Sequence, residues 1–137
     1  MRDHLPRTDV RELTAIFLGG TLGALARVGL AEVFKHAPAA WPWPTFAVNM
    51  LGALVLGWTV ARLSAPSYMR PFLGIGVCGA LTTFATIQLE LLRMLDAGEM
   101  VRALLYTAAS LVGGLTLVKA GRTLGSVARP DVAERPA

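Results

Sequence analysis

The chain has 137 residues, of which 54% are hydrophobic and only 16% charged, where a soluble domain carries about 25% charge. Its length fits one small domain, and the apolar excess leaves no room for a separate water-soluble core. The net charge of +4 does not mark a nucleic-acid binder, because most basic residues sit at the ends of apolar stretches and in the tails, where they meet lipid headgroups.

A bilayer core about 30 Å thick takes about 20 helical residues to cross. Four apolar stretches of that size fill most of the chain, so the predicted fold is all-α and membrane-integral. Residues 1–12 form a polar segment that mixes Asp3, Asp9 and Glu12 with Arg2, Arg7 and Arg11. The apolar run behind it is too long for the core of a signal peptide. Residues 13–123 make up the transmembrane domain. Residues 124–137, with Arg129, Pro130, Asp131, Glu134 and Pro136, read as a disordered tail.

Span one is predicted over residues 13–34. It carries Gly19, Gly20, Gly23 and Gly29, and small residues about four apart let helix backbones approach closely in lipid. Arg27 interrupts its second half; snorkelling to the interface accounts for it as well as a functional role does. The loop 35–44 holds Trp41 and Trp43, which suit the membrane interface. Span two, residues 45–63, contains Asn49, followed by Gly52 and Gly57. An amide here serves equally as interhelical glue or as a donor to an ion.

Span three is predicted over residues 71–95. Gly74, Gly76 and Gly79 precede Thr82, Thr83, Phe84 and Thr86. Glycines followed by paired β-branched hydroxyl residues make poor α-helix, so a break is expected between Gly79 and Thr83. Such breaks occur where protein buries them or a cavity meets them, and many transporter ion sites use them. The threonines could also simply bond back to preceding carbonyls. Cys78, the single cysteine, reads as a small packing residue. Span four, residues 100–122, carries Tyr106, Thr107 and Ser110, then Gly113, Gly114 and Gly121.

With four spans, the tails and the middle loop share one side. That side holds Arg2, Arg7, Arg11, Arg62, Arg70, Lys119, Arg122, Arg129 and Arg135, against Lys35, Arg93 and Arg102 opposite, which favours cytoplasmic termini. His4 and His36 belong to no catalytic arrangement, and no phosphate loop or dinucleotide fingerprint stands in its proper setting. No enzymatic activity is expected.

Three motifs in order resemble the Fluc/CrcB fluoride channel family. The run from Gly76 to Glu90, with Cys78-Gly79 and Thr82-Thr83-Phe84-Ala85-Thr86-Ile87, is similar to that family's third-helix signature. Gly19-Gly20-Thr21-Leu22-Gly23-Ala24-Leu25-Ala26-Arg27 resembles its first helix. Thr45-Phe46-Ala47-Val48-Asn49-Met50-Leu51-Gly52 resembles its second, and Tyr106 with Ser110 fits the fourth. The likeness spans about residues 14–123.

The resemblance implies a passive, multi-pass fluoride channel of the inner (plasma) membrane that exports fluoride and relieves its toxicity. It implies an antiparallel dimer with two pathways and a structural sodium ion held by the backbone carbonyls of Gly79 and Thr82. It places Asn49, Phe84, Thr86 and Ser110 on the fluoride pathway, with Tyr106 and Arg27 structural or beside a vestibule. The chain departs from the pattern at Ala80, at Ala85 and at Ile87, where a second phenylalanine is expected. Isoleucine has no electropositive ring edge, so a heterodimer with a paralogous subunit stands beside the homodimer. The alternatives are a proton-coupled multidrug-type transporter, which needs a membrane-buried carboxylate, and a non-conducting assembly subunit.

Overall fold

The computed structural model describes residues 9–34, 37, 40–63 and 67–127. The polar segment before residue 9, Lys35, His36, Pro66 and the tail from residue 128 lie outside the described residues. Among the described residues there are helices and no strands, and four helical stretches are long and apolar enough to cross a membrane: Val10–Val33, Trp43–Arg62, Pro71–Asp96 and Met100–Val127.

Helix α1 runs over Val10–Val33. Asp9 caps its start by accepting the Arg11 amide at 2.9 Å, which satisfies one of the orphan donors of the first turn. The Tyr68 hydroxyl donates to the same carboxylate at 2.9 Å. These bonds, the Tyr68 contact foremost, hold the Asp9 carboxyl below its ordinary value. Helix α2 covers Trp43–Arg62, with Pro44 in its first turn, where no amide is required.

The third span is composite. Pro71–Cys78 is wound as a π-helix and passes directly into the short helix α3, Gly79–Leu81. Thr82 and Thr83 are extended. Helix then resumes as α4, Phe84–Asp96. Gly98, at φ 76°, turns the chain into α5, Met100–Val127.

Helix α1 therefore starts three residues ahead of the predicted boundary, and α5 continues past Arg122 through residues assigned by composition to the tail. The expected stretch of non-helical backbone shrinks to two residues. Gly79–Leu81 keeps its turn because the Thr82 amide and hydroxyl both bond to the Cys78 carbonyl, at 3.0 and 2.7 Å.

Two backbone-to-backbone seams hold the helices. Helix α1 lies on the π-helical segment, where a side chain at Gly19 or Gly23 would run into the carbonyls of Phe72 and Val77. Helices α2 and α5 form the second seam: Gly57 abuts the Val118 carbonyl and Gly121 that of Leu54. Lipid tails are as apolar as leucine, so close van der Waals packing of small residues drives helix association here. Large apolar side chains face outward instead, Phe17 at 72% and Leu104 at 64% exposure among them. Among the described residues, a core of large side chains lies at one end. There Met94 and Tyr106 are fully buried, with Ala103 beside them and Trp41, Phe46, Ile87 and Leu91 around. The Trp41 ring stands edge-on to Tyr106, 5.3 Å between centroids and 78° between planes.

Candidate functional site

The extended pair Thr82–Thr83 creates a local deficit. An unpaired backbone group in the bilayer core costs several kcal/mol, so an interruption persists only where side chains satisfy it. Three elements supply the partners. Asn49 of α2 accepts the Thr83 amide on Oδ1 at 2.9 Å and donates Nδ2–H to the Thr83 carbonyl at 3.3 Å. Arg27 of α1 donates Nε–H to the Ala80 carbonyl at 3.1 Å. Thr83 caps α4 itself, its hydroxyl accepting the Thr86 amide at 3.2 Å and lying 3.1 Å from the Thr86 hydroxyl.

This pattern takes helical partners away from the carbonyls before the joint, those of Gly79 and Thr82 among them. In a continuous helix the Gly79 carbonyl would take the Thr83 amide, and the Thr82 carbonyl the Thr86 amide. Those amides are engaged by Asn49 and by the Thr83 hydroxyl. A Cβ at Gly79 would meet nothing within 4 Å, so this backbone is open to an approaching group. Freed carbonyls suit a hard cation, which prefers oxygen ligands. Among the described residues no group of His, Cys, Asp and Glu side chains could hold a metal ion.

Two concavities flank Thr83. The first is a shallow groove of about 350 Å³ lined by Asn49, Gly79, Thr82, Thr83, Phe84 and Ser110, among others. Three of the residues singled out for the pathway, Asn49, Phe84 and Ser110, meet in it. Phe84, the first residue of α4, stands 73% exposed. The Ser110 hydroxyl is buried with no hydrogen-bond partner. The second is a cavity of about 420 Å³ whose polar lining is Arg27, Thr45, Thr83, Thr86, Glu90 and Arg93. Thr86 belongs to this cavity and not to the groove. Thr83 lines both, so the Asn49–Thr83 joint forms the partition between them. The roomiest hollow among those described, about 580 Å³, opens at the other end of α1 beside Asp9, Thr59 and Tyr68 and includes none of these residues.

Tyr106 is fully buried and lines neither concavity. Its hydroxyl donates to Glu90 Oε2 at 2.8 Å, while the Thr45 hydroxyl donates to Oε1 at 2.6 Å. Glu90 is only 3% exposed. In the sequence it closes the motif run that starts at Gly76 and is given no role. The available signal was an acid in an apolar stretch, seven residues past Thr83, where burial demands partners.

Anion chemistry suits these surfaces. The cavity offers two guanidinium groups and threonine hydroxyls, and the Nη groups of Arg27 take no partner among the described residues. The groove offers a spare amide hydrogen on Asn49, an aromatic ring whose edge is electropositive and an unengaged hydroxyl. A small, strongly hydrated anion entering either would exchange water for donors.

Residues 14–122 match the family model described as "CrcB-like protein, Camphor Resistance (CrcB)". The chain shares 47% identity over 118 residues with the fluoride-specific ion channel FluC 1 of Mycobacterium bovis, covering 83% of this chain and 89% of that relative. It shares 42% over 121 residues with the fluoride-specific ion channel FluC of Thermus thermophilus, covering 85% and 94%. With FluC 2 of Nocardia farcinica the identity is 37% over 127 residues, covering 86% and 87%.

Proposed function

The chain belongs to the CrcB family, and on that premise we propose that it conducts fluoride passively across the inner (plasma) membrane, lowering the cytoplasmic concentration of a toxic anion. It is a multi-pass membrane protein, and its relatives are named ion channels. Conduction needs neither a reaction nor a nucleotide, so no enzymatic step enters this reading.

The observation that carries it is the meeting of Asn49, Phe84 and Ser110 in one groove around an interruption that Asn49 itself stabilises. In this reading the basic cavity collects the anion, and Thr86 with Thr83 passes it toward the partition. The spare amide hydrogen of Asn49, the ring edge of Phe84 and the Ser110 hydroxyl then replace its water. Selectivity comes from donor geometry and width at close quarters. Fluoride, the smallest halide, gains most from several short donor contacts.

A groove open along one side is half a pathway. The exposure of Phe84, Leu51 and Leu111 fits a second chain laid antiparallel across it, a copy or a paralogous subunit. A sodium ion would be held by the carbonyls of Gly79 and Thr82. When bound, it supplies a positive charge that draws the two interrupted spans together.

Proteoliposomes containing only this purified chain test the reading. Expected is rapid fluoride efflux with chloride retained, followed by a fluoride electrode. Absence of flux from chain that is dimeric in detergent would remove the homodimeric channel. Flux that appears only with a paralogous subunit would assign the chain to a heterodimer.

A further inference from the structure

The two clamps on the interrupted span differ in what they hold. Asn49 grips Thr83, on the α4 side. Arg27 grips Ala80, which stands between Gly79 and Thr82 on the other side of the joint. In an unbroken helix the Ala80 carbonyl would accept the Phe84 amide, but two extended residues and a new helix start separate them. Arg27 Nε–H takes that amide's place from 53 positions away in sequence.

The height at which Arg27 arrives is set by α1. Gly23, one turn earlier, seats α1 so closely that an added Cβ would lie 3.0 Å from the Leu81 amide nitrogen and nearer still to the Val77 carbonyl oxygen. The guanidinium therefore meets the third span at a fixed level. Its planar fork aims Nε along one direction, which a lysine ammonium on a flexible stem does not reproduce.

We propose that Arg27 is a positioning residue for the cation site: by holding the Ala80 carbonyl, it fixes the Ala80–Leu81 peptide, which lies between the peptides that carry the Gly79 and Thr82 carbonyls and so limits how far those two can turn. This rests on the sodium reading above and assigns to α1 a part in a site otherwise made by one span. Arg27 also lines the basic cavity, so one side chain touches both that cavity and the joint.

The test uses the purified dimer in detergent. Its thermal midpoint is followed as sodium replaces N-methylglucamine at constant ionic strength, since a ligand bound to the folded state raises that midpoint by mass action. The wild type is expected to gain stability with sodium. R27K and R27Q are expected to need roughly fivefold to tenfold more sodium for the same gain, the fold-change of about one hydrogen bond. A sodium response in R27K equal to the wild type overturns the proposal, because charge alone would then suffice. A wild type blind to sodium overturns the cation reading itself, a distinguishable result. Should R27Q not assemble, R27K carries the comparison.

Discussion

Asn49 and Thr83 are bonded twice, amide to backbone, with the Asn49 oxygen accepting at 2.9 Å and its nitrogen donating at 3.3 Å. The side chain therefore copies one rung of a hydrogen-bond ladder and repairs the backbone where the third span opens. One amide hydrogen remains available on the groove side. A single residue thus serves both the scaffold and the proposed ion path.

Replacing Asn49 with leucine removes both bonds and the spare donor. Fluoride flux is expected to fall to background, and the fold should lose about 1–3 kcal/mol, the cost of leaving a buried backbone amide unpaired. Liposome efflux and thermal unfolding of the same preparation check the two losses together. Retained flux would remove Asn49 from conduction.

Ser110 separates pathway from scaffold more cleanly. Its hydroxyl has no protein partner, so Ser110→Ala breaks no internal bond, and the thermal midpoint should stay near the wild type. Flux should nevertheless drop several-fold if the hydroxyl is a donor to the ion. Unchanged flux would make this serine a packing residue.

Gly23 and Gly20 lie three residues apart on α1 with opposite surroundings. A methyl at Gly23 would run into the Val77 carbonyl, while one at Gly20 meets nothing within 4 Å. Gly23→Ala should cost about 1–3 kcal/mol through overpacking. Gly20→Ala should be neutral or stabilising by up to about 1 kcal/mol, the helix-propensity gain. Thermal unfolding of the two variants side by side decides it.

Asp9 lies outside the spans and carries a pH dependence. Its carboxyl is held below its ordinary value of 3.8, first by the Tyr68 hydroxyl and then by the Arg11 amide. A lowered folded-state value means that its contribution is complete above the unfolded value and fades as pH falls through the folded one. The Asp9–Tyr68 link should therefore survive to pH values below 3.8. Tyr68→Phe should move the Asp9 titration upward toward the ordinary range, measured by carbon-detected NMR of the Asp9 carboxyl.

The helical spans were legible because apolar length is a bulk property that needs no neighbours to interpret. The interruption was legible for a related reason: glycines and adjacent threonines disfavour helix wherever they stand. The partners of the interruption were not. Asn49 reads equally as interhelical glue or as a donor to an ion, and nothing in its own segment tells of Thr83, 34 positions on. Arg27 read equally as a snorkelling residue until its contact with Ala80 was visible. Glu90 stands in the sequence only at the end of the third-span motif; the fold alone brings Thr45 and Tyr106 onto its two oxygens. Pairings between distant spans depend on crossing geometry, which the glycine seams set and which a linear pattern does not encode.

The π-wound stretch Pro71–Cys78 has a consequence for how the gene can change. Such a turn carries a surplus residue compared with ordinary helix. Deleting one position there would let the coil rewind to the usual pitch, and the facing of the span downstream would be largely kept. One added residue of ordinary helix has no such outlet and would swivel Thr82 and Thr83 by about 100° away from Asn49. Shortening between residues 71 and 78 should therefore be borne better than lengthening, without any substitution at the joint itself.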